Sequence, residues 1–186
     1  WGLNYLFREK FELAQLKGHV KQGSNIAISV GDYFSSMLDQ NMSWDNVADL
    51  QRAWGGKFCL KGIMSPQDAR HAVDIGADAI MISNHGGRQL DAAPAAIDML
   101  PEIRQAVGVD YPLIFDSGIR SGEGIVKALA LGADFVMLGR PFLYASGADG
   151  QRGVYHLVDL LKNDMLLVLA QIGCTDVSHL DKNVLA

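Results

Sequence analysis

The chain has 186 residues, 49% of them hydrophobic and 20% charged, and 16 Lys and Arg against 21 Asp and Glu give a net charge of −5. The apolar content supports a packed core and excludes disordered and fibrous classes. The dispersed, acidic balance excludes a nucleic-acid surface, which needs clustered Lys and Arg to neutralise phosphates.

In chain order, Leu3, Leu6, Phe7, Phe11 and Ala14 recur at three and four, the stripe of an amphipathic helix over Leu3–Leu16. Residues 18–31, with Gly18, Gly23, Ser24, Asn25 and Gly31, break that period and read as a lid-like loop. Ser43 is placed to cap a helix whose inner face is Val47, Leu50 and Trp54, closed by Gly55-Gly56. A strand at Phe58-Cys59-Leu60 follows, then Ser65-Pro66-Gln67-Asp68 supplies the cap, first-turn proline and acid of a helix running to Ile75. A second strand at 79–82, a helix from Pro94 to Val107, a strand at 113–115, a helix from Ser121 to Leu131 and a strand at 135–138 continue the alternation. A final helix covers Val154 to Ile172, with residues 173–186 as a tail.

Short apolar strands alternating with amphipathic helices are the mark of parallel βαβ units, because each parallel crossover needs a helix to cover the sheet. An internal repeat reinforces this. Gly62-Ile63-x-Ser65 matches Gly118-Ile119-x-Ser121, and Gly76-Ala77-Asp78 matches Gly132-Ala133-Asp134, at the same offset. Four such strands make either a small open sheet or half of a (β/α)₈ barrel of about 250 residues, and the length favours the half barrel. One globular unit is the default, organised as 1–55 (helix, loop and pre-strand helix), 56–148 (the four strands) and 149–186 (final helix and tail).

Cys59 and Cys174 each lie in an apolar run with no second thiol at metal-ligand or redox spacing, so buried, inert thiols in a reducing compartment are expected. No apolar stretch reaches membrane-spanning length, and Trp1 opens an amphipathic pattern instead of a signal peptide; the expectation is a cytoplasmic chain.

In either α/β architecture ligands bind at the carboxyl ends of the strands. The residues there are Lys61-Gly62, Ser83-Asn84-His85-Gly86-Gly87-Arg88-Gln89, Asp116-Ser117-Gly118-Ile119-Arg120 and Gly139-Arg140. Singly, a lysine at a strand end or an arginine near a helix start is ordinary surface chemistry. Together, one Lys, one His and three Arg on one rim repel one another unless anions bind there. Arg120 and Arg140 flank glycines where backbone amides and guanidinium forks hold a phosphate. Arg88, three residues after His85, is placed to grip a substrate carboxylate while the imidazole reaches the adjacent carbon or hydroxyl.

The run Ser83 to Gln89 resembles the active-site signature of the FMN-dependent 2-hydroxy-acid dehydrogenase and oxidase family, which includes L-lactate and mandelate dehydrogenases and glycolate oxidase. The similarity continues through Lys61-Gly62, Asp116 to Arg120, Lys127 to Ala133 and Leu138-Gly139-Arg140, and the helix ending Ala170 to Cys174 extends it. The resemblance implies the C-terminal half of a (β/α)₈ barrel, strands five to eight, with FMN as cofactor and a small L-2-hydroxy acid as substrate. It implies His85 as the catalytic base and Arg88 as the carboxylate clamp. Lys61 is then near the flavin where negative charge gathers on reduction, Asp116 on the ribityl hydroxyls, Ser83 beside the flavin, and Gly118, Arg120, Gly139 and Arg140 around the phosphate, with Ser117 and Ile119 also among the cofactor-binding residues.

The same resemblance implies that half of the barrel, including the carboxylate that orients the histidine, is absent from this chain, and that the whole protein is a homotetramer. It places residues 18–42 at a variable loop that in some members attaches to a membrane, so a peripheral contact at the inner membrane face is the exception to the cytoplasmic expectation. Two other readings stand beside it. A nucleotide-processing barrel related to inosine-monophosphate dehydrogenase shares the phosphate-loop pattern but needs a nucleophilic cysteine on an active-site loop. An inactive half barrel that binds phosphate, or acts only with its N-terminal half, is the alternative to an enzyme.

Overall fold

The structure, a computed structural model, describes residues 33–185. The chain divides into two compact units, Trp1–Ser43 and Trp44–Ala186. Of the first only 33–43 is described: a helical stretch at 33–37 in which the Ser36 hydroxyl donates to the Tyr33 carbonyl at 2.7 Å. The expected helix Leu3–Leu16 and the loop 18–31 lie outside the described residues.

The second unit runs α1 (Trp44–Trp54), β1 (Cys59–Ile63), α2 (Pro66–Asp74), β2 (Ala79–Ile82), α3 (Ala96–Val107), β3 (Leu113–Phe115), α4 (Gly122–Ala130), β4 (Phe135–Val136) and α5 (Arg140–Gln171). The strands form one parallel sheet in the order β1-β2-β3-β4. Sequential parallel strands joined by helical crossovers make half of a (β/α)₈ barrel.

Strand alternation decides which side chains meet the helices. Ile80, Ile82, Leu113 and Phe115 are fully buried with Ala69 and Ala72 of α2 and Leu100 and Ile103 of α3. Each large apolar side chain buried here contributes about 1.5–3 kcal/mol. The intervening positions form the other face, where Lys61, Met81, Ile114 and Phe135 stand in one register row across all four strands. None of these four is buried, and Phe135 is 63% exposed.

The sequence repeat is a structural one. Ser65 and Ser121 cap α2 and α4, accepting from Asp68 N at 3.0 Å and Gly124 N at 3.1 Å. Gly76 (φ 80) and Gly132 (φ 107) end the same helices in the left-handed conformation that glycine adopts without strain. The next residues, Ala77 and Ala133, each donate 3.0 Å back into the helix, to Ala72 O and Ala128 O. Asp78 then accepts from Phe58 N at 2.9 Å, and Asp134 from Leu113 N at 2.7 Å. Each repeat thus fastens the amino end of its first strand to the turn before its second.

The structure corrects three local expectations. In α1 the inward side is Trp44, Val47, Ala48 and Gln51, whereas Leu50 and Trp54 are 51% and 68% exposed. The reason is polar: Gln51 Nε2 donates to Gly76 O at 2.7 Å, and the Trp54 indole to Lys57 O at 2.9 Å. Next, β4 ends at Val136 instead of Leu138, because its partner β3 stops at Phe115, whose carbonyl takes a last bond from Met137 N at 2.8 Å.

The last helix begins at Arg140, well before Val154, and bends at Asp149 and Gly150, which carry non-helical angles. Its glycines hide it from a periodicity reading, and one of them is required: a Cβ on Gly153 would lie 2.0 Å from Ala145 O. Further along, α5 docks on the start of α4, where Asp164 accepts from Gly122 N at 2.6 Å and Glu123 N at 3.2 Å.

Candidate active site

The carboxyl ends of the strands open into a cleft of about 510 Å³ lined by Lys61, His85, Arg88, Asp116, Arg120 and Arg140, with Ser117, Gly118, Ile119 and Gly139 between them. Every cation that the sequence places on the rim therefore reaches one cavity. Ser83 lies beneath it, 4% exposed, the only buried polar residue among the described ones.

The β2 end builds the centre. His85 (φ 56), Gly86 (φ 66) and Gly87 (φ 74) turn in succession through left-handed backbone, which explains the paired glycines and leaves His85 as the strained member. Asn84 closes this turn: its Oδ1 accepts from Gly86 N at 3.0 Å, and its Nδ2 donates to Pro94 O at 3.2 Å, ahead of α3. Asn84 is a site residue that the sequence reading passes over, although an Asn before a Gly-Gly turn is the available signal.

The turn projects His85 and Arg88 outward, both exposed, with Arg88 Nη2 2.9 Å from His85 Nε2. A guanidinium has only donors, so Nε2 carries the lone pair in this pairing.

Lys61 leaves the edge strand toward the same cavity. Its ammonium forms a salt bridge with Asp116 and donates to Ser83 Oγ at 3.1 Å. Burial pushes the Asp116 carboxyl up, but hydrogen bonds from Lys61, Ser83 and Ser117, together with the Lys61 charge, outweigh it and hold the group below the ordinary carboxylate range. Asp116 therefore stays ionised and pairs with the Lys61 ammonium.

The three arginines have no such partner. Arg88 bonds only to His85, Arg140 reaches only Gly86 O at 3.5 Å, and Arg120 makes no hydrogen bond or ion pair among the described residues. Beside Arg140, the first turn of α5 has no side-chain cap on its amides. Free helix N–H groups with two guanidinium forks suit a phosphate, and Arg88 suits a separate carboxylate. The donor set fits a phosphorylated cofactor and a carboxylic acid together.

The cysteines depart from expectation. Cys59 is exposed and Cys174 partly so. Cys59 shares a strand face with Lys61 that is only partly covered, so an apolar triplet overstates burial at the edge of a half barrel. Burial around its sulfur still pushes the thiol up, against the pull of the Lys61 charge. Neither cysteine lines the cleft, which removes the nucleophile that the inosine-monophosphate dehydrogenase reading requires.

With this geometry in place, comparison with known proteins decides the family. Residues 3–186 match the FMN-dependent dehydrogenase family. The chain belongs to that family. It is 40% identical over 186 residues to an L-lactate dehydrogenase of Pseudomonas syringae pv. syringae, covering 100% of this chain and 49% of the relative. An L-lactate oxidase of Nostoc sp. is 42% identical over 168 residues, 88% of this chain and 46% of its own length. Among solved structures, the monotopic membrane protein (S)-mandelate dehydrogenase superposes with a TM-score of 0.86 at 38% identity, covering 99% of this chain and 48% of its own. The chain spans about half the length of the curated relatives it matches. No helix among the described residues is long and apolar enough to cross a membrane.

Proposed function

We propose that this chain carries the base, carboxylate and phosphate half of a site that oxidises an L-2-hydroxy acid, lactate-like or mandelate-like, to the 2-oxo acid with FMN. The observation that carries this reading is the His85–Arg88 pair opening into the same cleft as Arg120 and Arg140, which have no acidic partner among the described residues. When bound, the flavin supplies an acceptor for the two electrons that leave the substrate.

The chain's own residues do the rest. A substrate carboxylate takes over the Arg88 guanidinium, which releases Nε2 of His85 to receive the proton of the 2-hydroxyl. Lys61 would supply a fixed positive charge beside the flavin, which favours uptake of negative charge there. Asp116 would bind the ribityl hydroxyls, Ser83 would help hold the flavin, Ser117 and Ile119 would line the cofactor site, and Gly118, Arg120, Gly139 and Arg140 would cradle the phosphate.

The experiment compares the 186-residue chain with the same sequence extended to the full length of its relatives. The extended protein should be yellow and lose its visible flavin absorbance when L-lactate or L-mandelate is added anaerobically. A full-length protein that takes up no FMN overturns the proposal.

A second reading is favoured by the exposed inner face of the sheet and by an apolar groove of about 580 Å³ between β4 and α5, lined by Phe135, Met137, Leu161, Met165 and Leu169. On this reading the 186 residues alone are an inactive half barrel that binds phosphate and needs its N-terminal half. FMN titration and molecular mass of the short chain, with and without that half, separate the two; sedimentation of the full-length protein tests the tetramer. Peripheral membrane contact through residues 18–34, which lie almost wholly outside the described residues, is tested by vesicle co-sedimentation before and after their deletion.

A further inference from the structure

Two hydroxyls hold the turn that carries His85, and they belong to different strands. Ser83, at the end of β2, accepts from His85 N at 3.1 Å. Ser117, after β3, accepts from Gly86 N at 3.2 Å and donates to Asp116 Oδ1 at 2.8 Å. Ser117 reaches that position with φ 87, a left-handed backbone that glycine adopts without strain and that serine resists. The neighbouring Gly118, at φ 83, uses the ordinary residue for such a conformation. A strained serine stands here where a glycine fits the backbone better, and what the serine adds is a hydroxyl placed between the two loops.

The bonds form one connected path. Lys61 pairs with Asp116, Asp116 accepts from Ser117, and Ser117 holds Gly86; in parallel Lys61 donates to Ser83, which holds His85 N. Arg140 touches the same turn from the other side, through Gly86 O at 3.5 Å. Asp116 is kept ionised by this arrangement, so it remains an acceptor for the Ser117 hydroxyl.

We infer that Ser117 is a positioning residue that fixes the His85 turn to the cofactor-side loop 116–120, so that the setting of Lys61 and Asp116 determines the setting of the base. This rests on the reading of His85 as the base, but the measurement that decides it does not.

In the ¹⁵N-labelled chain, Ser117→Gly removes both the hydroxyl and the strain, while Ser117→Ala removes the hydroxyl and keeps the strain. The Gly86 amide is shared with Asn84 Oδ1 at 3.0 Å, which supplies the remaining protection, so both variants should speed its hydrogen exchange by roughly two- to tenfold. The amide of Gly124, which makes the same kind of bond to Ser121, should be unchanged. Lys61→Met should speed Gly86 exchange in the parent and add little in Ser117→Ala, the non-additivity expected of residues on one path.

An unprotected Gly86 amide in the parent, or a Ser117→Gly variant with parental exchange at Gly86, overturns the inference. A protein that reduces no flavin but shows the expected exchange pattern would fail the functional proposal and leave this one standing. In the full-length protein, Ser117→Gly should lower kcat per bound flavin more than it changes KM; an unchanged kcat per bound flavin also overturns it.

Discussion

His85 and Arg88 hold each other, with the guanidinium Nη2 2.9 Å from the imidazole Nε2 across a turn of left-handed backbone. The pair is stored in a form that a carboxylate can separate, since an anion offers the arginine a stronger partner than a neutral ring.

Replacing each partner should therefore give different kinetic signatures in the full-length protein. His85→Gln should retain FMN and lose about 10²–10⁴-fold in kcat. Arg88→Lys keeps the charge but loses the fork, and a lost charged hydrogen bond of about 1.5–3 kcal/mol corresponds to a kcat/KM roughly 10- to 100-fold lower. Steady-state kinetics on both variants checks this; parental kcat in His85→Gln excludes it as the base.

The Asp116 carboxyl sets an acid limit. Its folded pKa lies below the ordinary value, so its contribution to stability is complete above the unfolded pKa of about 3.9 and is lost as pH falls through the lower folded value. Asp116→Asn should flatten the acid limb of a plot of urea midpoint against pH. Lys61→Met should instead raise the pKa of Asp116, because burial then acts with less opposition, and NMR titration of the carboxyl reads the direction.

Arg104 should matter for folding and not for the rim. Its guanidinium, 13% exposed, donates to Gly132 O, Gly108 O and Tyr111 O at 2.7–2.8 Å and to Asp134 at 2.6 Å. Arg104→Ala strands several acceptors and should cost about 2–4 kcal/mol, and Arg104→Lys should recover only a minor part. Chemical denaturation measures both.

Gly122→Ala should loosen α5. A Cβ there would lie 2.4 Å from Met165 N and 2.6 Å from Leu161 O, and backbone cannot step aside as a side-chain tip can. The expected loss is about 1–3 kcal/mol, read as a lower Tm. A variant as stable as the parent would mean that the helices sit further apart than described.

Much of this site was legible in the sequence because strand ends can be found without knowing the fold. An apolar run followed by polar and glycine residues marks the spot, and all five rim cations identified that way line one cleft. The repeat was equally legible, since Ser65 and Ser121 cap by side chain and Gly76 and Gly132 end helices by backbone. Exposure was not. Cys59 reads as core because periodicity says which residues share a face, not whether anything lies against it. Leu50 and Trp54 failed likewise, their helix being anchored by an amide and an indole N–H that no hydrophobic count records. The left-handed serine at 117 was beyond reach, because nothing in its type announces φ 87.

Asp78 and Asp134 fasten the strands at their amino ends, on Phe58 and Leu113, while His85, Arg88, Arg120 and Arg140 all project from the carboxyl ends. What fastens the scaffold and what lines the cleft are thus separated by the length of a strand. Evolution can rewrite one end of such a molecule while the other goes on holding it together, and a new substrate asks for new loops without asking for a new fold.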